Sequence, residues 1–161
     1  MRTTVPVAAV SFFVCGMVAC STVACNAPPA KKSFEPPPAP VKDDTALLPF
    51  LNRTGARVVP NHLLGKSQLP GGTIGDYDAG GMKYQLFIIE TPSAQDAAIM
   101  LLDLKVSLRD PAYIAWMGGY SGTDAGKVVY VFAKSGYLAG VVGLPDDLAD
   151  VAARELAAHL Y

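Results

Sequence analysis

A proline-dense stretch limits what this chain can fold into. Asn26 to Lys42, NAPPAKKSFEPPPAPVK, holds six of the thirteen prolines and almost no apolar side chain able to enter a core. Pro28, Pro29, Pro36, Pro37, Pro38 and Pro40 bias the backbone toward polyproline II, which has no internal hydrogen bonds. At about 3.1 Å per residue, some 20 residues of this kind reach roughly 60 Å. The stretch therefore reads as a tether, with a proline-motif ligand as the second reading. It divides the chain into residues 1–19, a tether over residues 20–43, and a domain over residues 44–161.

Residues 1–19 have the form of a secretory signal. Met1-Arg2-Thr3-Thr4 supplies one positive charge, and Val5 to Val18 carries none. An apolar helix of about 14 residues rises near 21 Å, short of the ~30 Å hydrocarbon core, so a signal peptide is expected here and not a transmembrane span. Two cysteines then follow an alanine directly. Met17-Val18-Ala19-Cys20 and Thr22-Val23-Ala24-Cys25 both resemble the bacterial lipobox, in which the cysteine thiol is acylated and the cysteine becomes the new N-terminus. The lipobox carries an apolar residue three positions before its cysteine, and Met17 meets that better than Thr22. Cys20 is the expected lipidation site, with Cys25 as the alternative. The resemblance implies a membrane as partner, held through the N-terminal lipid. It also implies a cell-envelope location, at the periplasmic face of the outer membrane if the source is Gram-negative, because Ser21 is not the aspartate that inner-membrane retention uses. Acyl chains anchor at roughly 0.8 kcal/mol per buried methylene, so the domain itself need not touch the bilayer.

The three cysteines, Cys15, Cys20 and Cys25, do not suggest a metal site, because a C-x4-C-x4-C spacing in an uncharged run without histidine is not a zinc pattern. A disulfide is equally disfavoured, since cleavage at Cys20 leaves Cys25 as a lone thiol. The domain is cysteine-free. In an oxidising compartment it must hold together by its hydrophobic core.

Residues 44–161 suffice for one core and show no second linker or repeat. They carry nine lysines and arginines against twelve aspartates and glutamates, with no basic cluster, which argues against nucleic acid as a partner. The pattern predicts a short helical piece over Thr45–Asn52, a strand near Ala56–Val59, and a short strand between turns in QLPGGTIGDYDAGG. Met82–Glu90, MKYQLFIIE, is rich in β-branched and aromatic residues and predicts a further strand. Thr91-Pro92 predicts a helix start, and the three- and four-residue steps of Ala94, Ala97, Ala98, Leu101, Leu104 and Leu108 carry that helix to about Leu108. Ile99, Met100, Leu102 and Val106 widen its stripe and predict burial over much of the circumference, with Asp110-Pro111 as the stop. Strands are expected from Ala112, Lys127 and Tyr137, the last two joined by a Ser135-Gly136 turn. A final helix is expected from Pro145 to about His159, with Asp146 and Asp147 at its positive end. Strands, helix, strands, helix suggest an α+β domain, mainly antiparallel, with two helices packed on one face.

The search for chemistry returns few candidates. Gly118–Thr123, GGYSGT, lacks the second glycine of a nucleophile elbow and reads as a hairpin loop. His62 and His159 have no sequence-visible catalytic partner and read as surface residues. The glycines from Gly71 to Gly81 precede a strand, where a phosphate cradle would need a helix N-terminus. Asp76-Tyr77-Asp78 places two carboxylates on one side of an extended chain, too few ligands for a metal by themselves. Tyr130 and Tyr137 flank the Ser-Gly turn and read as members of cross-strand pairs. Trp116 and Tyr120 lie beside Gly118 and Gly119, where amphipathic rings can line a contact surface. The binding candidates are Trp116, Tyr120, Asp76, Tyr77 and Asp78; no catalytic residue, metal or cofactor is expected.

YDAGGMKYQLFIIETPSAQDAAIMLLDLKVSL and VVYVFAKSGYLAGVVG resemble segments of uncharacterised bacterial domains in which a strand meets a TPSAQDA helix start and a late hairpin reads F-A-K-S-G-Y. The resemblance implies no activity. Two function classes follow: a non-catalytic envelope lipoprotein that binds a protein or small ligand, or an envelope hydrolase using Asp76, Asp78 or Glu90. Paired carboxylates in one pocket, one of them desolvated, would favour the enzyme; a shallow aromatic surface would favour the binding module.

Overall fold

Side-chain alternation in the central strands decides the architecture. The computed structural model describes residues 40–161; the expected signal peptide, Cys15, Cys20, Cys25 and the expected tether through residue 39 lie outside the described residues. Seven strands form one sheet: β1 (Arg53–Asn61), β2 (Pro70–Ala79), β3 (Met82–Glu90), β4 (Arg109–Ile114), β5 (Gly119–Asp124), β6 (Lys127–Lys134) and β7 (Tyr137–Val142). Every neighbouring pair is antiparallel, in the order β1-β2-β3-β7-β6-β5-β4. Two helices, α1 (Ala94–Ser107) and α2 (Asp146–His159), complete an α+β domain. No helix among the described residues is long and apolar enough to cross a membrane.

The helices lie on opposite faces of the sheet, not on one face. Leu86 and Ile88 of β3, Tyr130 and Phe132 of β6, and Ala139 and Val141 of β7 pack with Ala149, Ala153 and Leu156 of α2. The residues between them, Phe87, Ile89, Val129, Val131 and Leu138, pack with Leu101 and Leu104 of α1. Successive side chains point to opposite faces, so strands apolar at nearly every position bury both sides. The continuous runs KVVYVFA and QLFIIE carry that signal, which the order of elements does not.

The connection from β3 to β4 runs from the middle of the sheet to its far edge. Four strand spacings are about 19 Å, and a 14-residue helix is about 21 Å long, so α1 can traverse β7, β6 and β5 diagonally. Its N-cap is Ser93, whose hydroxyl oxygen accepts from the Asp96 N–H at 3.1 Å, in place of the expected Thr91. Thr91 is instead buried, and its hydroxyl donates to the Gly136 carbonyl at 2.6 Å, fastening the helix start to the β6–β7 turn. That turn has positive φ at both Ser135 and Gly136, as a two-residue primed turn requires.

Three local expectations differ from the structure. Pro70–Ala79 is one ten-residue strand, because Gly71, Gly72 and Gly75 sit inside the ladder where neighbours crowd them; a Cβ at Gly75 would lie 2.7 Å from the Tyr77 ring. Gly119–Asp124 is a strand as well as part of a turn, its backbone paired on both sides by β4 and β6. The helical piece near residue 45 is a single 3₁₀ turn, Thr45–Leu47, which seats Leu48 in the core. Both sheet edges are irregular: β1 shifts register between Arg53 and Gly55 and contains Pro60, while β4 shifts between Arg109 and Ala112 and contains Pro111. Such breaks blunt an edge against pairing with other chains.

Candidate functional site

On the α2 face, the segment Leu47–Leu48 and the helix cover the sheet together. On the other face α1 contacts β4 to β7 and leaves the β1–β3 half to the β1–β2 connection. That connection folds inward through a 3₁₀ turn at Leu63–Gly65 and buries Leu63 and Leu69 beside Ile74, Phe87 and Ile89. Between it and the β5–β6 turn lies a groove of about 400 Å³ over Ile74, Val129 and Val142. Lys66 reaches from the connection to Asp124 at the β5–β6 turn, 2.9 Å away, and ties the two walls together.

The groove continues into an open notch of about 600 Å³, the two sharing Gln85, Lys127 and Val142. The notch exists because β7 stops early. Its last pair with β3 is Val142 opposite Gln85, so Met82–Tyr84 have no partner strand on that side among the described residues. Gly143 turns the chain away there with φ of 97°.

Charge in the notch is fixed by local pairing. Asp76 accepts from Arg57 in an ion pair and from Gln85 Nε2 at 2.7 Å. Asp78 Oδ1 accepts from the Gly81 N–H at 2.7 Å and so caps the β2–β3 turn. Lys83 and Lys127 also line the notch, and neither forms an ion pair among the described residues. Tyr77 points to the α2 face, where its hydroxyl donates to the Pro49 carbonyl at 2.7 Å and its ring stacks on Tyr84 at 5.0 Å. Burial pushes the Tyr77 phenol well above its ordinary pKa, so it acts as a neutral donor.

The structure thus gathers Asp76, Tyr77 and Asp78 at one site but places the other candidates elsewhere. Trp116 sits in the β4–β5 turn against α2, with the Arg154 guanidinium 3.5 Å from its ring centre and 47% of its surface exposed. Behind it Tyr130 Oη donates to Asp150 at 2.7 Å and Arg154 Nε donates to the same carboxylate at 2.8 Å. Those two bonds, Arg154 first, hold the Asp150 carboxyl below its usual range, while burial and the Asp150 contact push the Tyr130 phenol up. Tyr120 faces the α1 side, packed between Lys105 Nζ at 4.6 Å and Tyr113 at 5.5 Å. Trp116 and Tyr120 are therefore neighbours in sequence that serve opposite faces.

Glu90 lies at the other end of β3 from Asp76 and Asp78, bonded to Lys42 Nζ at 2.9 Å. The same ammonium is 3.6 Å from Asp44, a carboxylate only 5% exposed, whose pKa is raised chiefly by that burial. Asp44 and Glu90 line a separate cavity of about 350 Å³.

Sequence reasoning missed Lys83, Gln85, Lys127 and the Lys66–Asp124 tie, because only the β2–β3–β7–β6 register brings them together. His62 is exposed and lines the groove wall. Among the described residues no group of three or more His, Cys, Asp or Glu could hold a metal ion. Comparison with known protein families, with curated proteins and with solved structures finds no match for this chain.

Proposed function

We propose that this protein is a membrane-anchored envelope lipoprotein whose α+β domain is a non-catalytic module that binds a ligand or protein partner, with the notch and its adjoining groove as the binding site. The observation that carries the binding role is the pairing within the notch. Asp76 is held by Arg57 and Gln85, and Asp78 by the Gly81 N–H, so both carboxylates are committed to local bonds that shape a surface. Anchoring rests on the Ala19-Cys20 lipobox, with Ala24-Cys25 as the alternative. Palmitate labelling of the Cys15→Ser, Cys20→Ser and Cys25→Ser variants tests it. Loss of label in Cys20→Ser alone is expected; loss in Cys25→Ser alone moves the site, and retention in all three overturns the lipoprotein assignment. In a Gram-negative source, fractionation is expected to recover the labelled protein with the outer membrane.

A second reading, an envelope hydrolase, is favoured by one observation. Asp44 and Glu90 are the carboxylates that share a pocket with one of them desolvated, although Lys42 pairs with both. Of the carboxylates expected for this reading, Asp76, Asp78 or Glu90, the first two line the notch and Glu90 lines this second cavity. Hydrolysis of ester or peptide test substrates that is abolished by Asp44→Asn would establish it; no turnover above buffer leaves the binding module.

A further inference from the structure

The groove combines an apolar floor with two lysines that form no ion pair among the described residues, and a Lys66–Asp124 pair joins its two walls. Ile74, Val129 and Val142 form the floor, and Val59 and Leu64 the wall. Lys127 stands where groove and notch meet, and Lys83 stands at the far side of the notch. Two of the nearby carboxylates are in ion pairs, Asp76 with Arg57 and Asp124 with Lys66, while Asp78, bonded to the Gly81 N–H, keeps its charge opposite Lys83 in the β2–β3 register. The Lys66–Asp124 pair is itself largely out of solvent, with 14% and 28% of the side chains exposed. Ile74, Val129 and Val142 are 4%, 2% and 9% exposed, so a chain of apolar atoms laid in the groove would run over them and past Val59 and Leu64, toward Lys127 where the groove meets the notch.

We propose that the groove binds a small amphipathic anion, an aliphatic body with a single acidic head, the body on Ile74, Val129 and Val142 and the head at Lys127 and Lys83. This deepens the binding-module reading and rests on it. Burial of the body contributes affinity without direction, while the two ammonium groups select the head by charge and fix which way round the ligand lies. A cationic head would meet Lys83 and Lys127 as like charges, with Asp78 as the one notch carboxylate outside an ion pair among the described residues.

The test uses the full-length protein held in nanodiscs, with methyl-resolved NMR of Ile74, Val129 and Val142 while hexanoate, hexanol or hexylammonium is titrated in. The site-specific signals separate binding from partition of the probe into lipid. Saturable shifts of these methyls are expected with hexanoate, at an affinity at least tenfold above hexanol and with no saturation for hexylammonium. Lys127→Gln and Lys83→Gln are each expected to weaken hexanoate about five- to tenfold and leave hexanol unchanged. Equal binding of hexanoate and hexanol, or of hexanoate by the lysine variants and the parent, overturns the acidic-head assignment while the groove remains a ligand site. Silence of all three methyls with all three probes overturns the groove as a small-ligand site and with it the amphipathic anion. Hexyl phosphate, as a second acidic head, separates a preference for carboxylate from one for phosphate.

Discussion

The two faces of the sheet are each crossed by a 14-residue helix, yet they are finished differently. Around α2 the face is closed: Leu48 and the helix cover the β2–β3 and β6–β7 halves, and the polar atoms there are tied by Tyr77 to Pro49 and Tyr130 to Asp150. Outward from α2 lie the charged Asp147 and Glu155, the Arg154 that covers Trp116, and two apolar side chains, Leu148 and Val151, at 38% and 62% exposed. Around α1 the face is half open, and the helix itself presents Ile99, Leu102 and Val106 to the outside with 50%, 52% and 85% of their surface exposed. The expectation that α1 is buried over much of its circumference does not describe the monomer. Closure of one face supplies a rigid base, against which the other can keep a groove at modest cost in stability.

The contrast can be broken most directly with core truncations. Leu156→Ala under α2 is expected to cost about 3–5 kcal/mol, because the void it leaves is sealed. Ile74→Ala in the groove floor is expected nearer ~2 kcal/mol, since the space it vacates joins a cavity already open to water. Urea unfolding of both measures the difference; equal costs would mean that the two faces are equally closed.

Next in size, Tyr77→Phe removes the one side-chain donor to the Pro49 carbonyl among the described residues and is expected to cost about 1–3 kcal/mol. On the open face, a double-mutant cycle of Lys66→Ala with Asp124→Ala is expected to give a coupling of about 1 kcal/mol or less, as for a partly exposed pair. A larger coupling across the groove than at Tyr77 would reverse the ranking of the faces.

A smaller effect separates two carboxylates by pH. Asp150 has a depressed folded pKa, so its stabilisation is present above the unfolded value near 4 and is lost as pH falls through the folded value. Asp44 has a raised folded pKa, so folding is favoured when it is protonated, and its ionisation erodes stability as pH rises from about 4 through the folded value. Asp150→Asn is therefore expected to destabilise by up to ~1 kcal/mol at neutral pH, with the deficit closing in acid. Asp44→Asn is expected to gain on the parent as pH rises. Urea midpoints from pH 3.5 to 7.5 give both slopes, and slopes of the same sign would refute the pair.

The smallest expected effect concerns the outside of α1. Val106→Lys should change stability by less than ~0.5 kcal/mol, because the side chain touches little in the monomer. A loss above 1 kcal/mol would show that this stripe is covered and that the open face is less open than it stands here.

How far the sequence foretold the molecule differs between levels. Strands β3, β6 and β7 and both helices were legible because their apolar periodicity is strong and their caps and turns are local. The division of the helices between the two faces was not read, though the unbroken apolar runs of β3 and β6 contain it. β2 and β5 were obscured by Gly71, Gly72, Gly75, Gly119 and Gly122, which look like turn residues and are in fact positions of close backbone approach; a Cβ at Gly119 would stand 2.3 Å from the Val131 carbonyl oxygen. Of the site, the Asp76-Tyr77-Asp78 triplet was legible, while the lysines and the tie across the groove arise from long-range register. Trp116 was singled out for its glycine neighbours and is indeed half exposed, but its partner is Arg154, on a helix that sequence proximity could not connect to it.

The β3–β7 ladder has a consequence for the order in which this chain folds. It joins β1–β2–β3 to β4–β5–β6–β7, each a run of neighbours in sequence, by pairing Glu90 with Tyr137 and Gln85 with Val142. Hairpin contacts within each run close short loops and form early, whereas this seam awaits the last strand. Until then Leu86-Phe87-Ile88-Ile89, uncharged and apolar on both sides, presents an unpaired edge in the half-made protein, the composition and geometry that recruit other chains. The blunted outer edges protect the finished sheet, but this inner edge is guarded only by the speed with which β7 arrives.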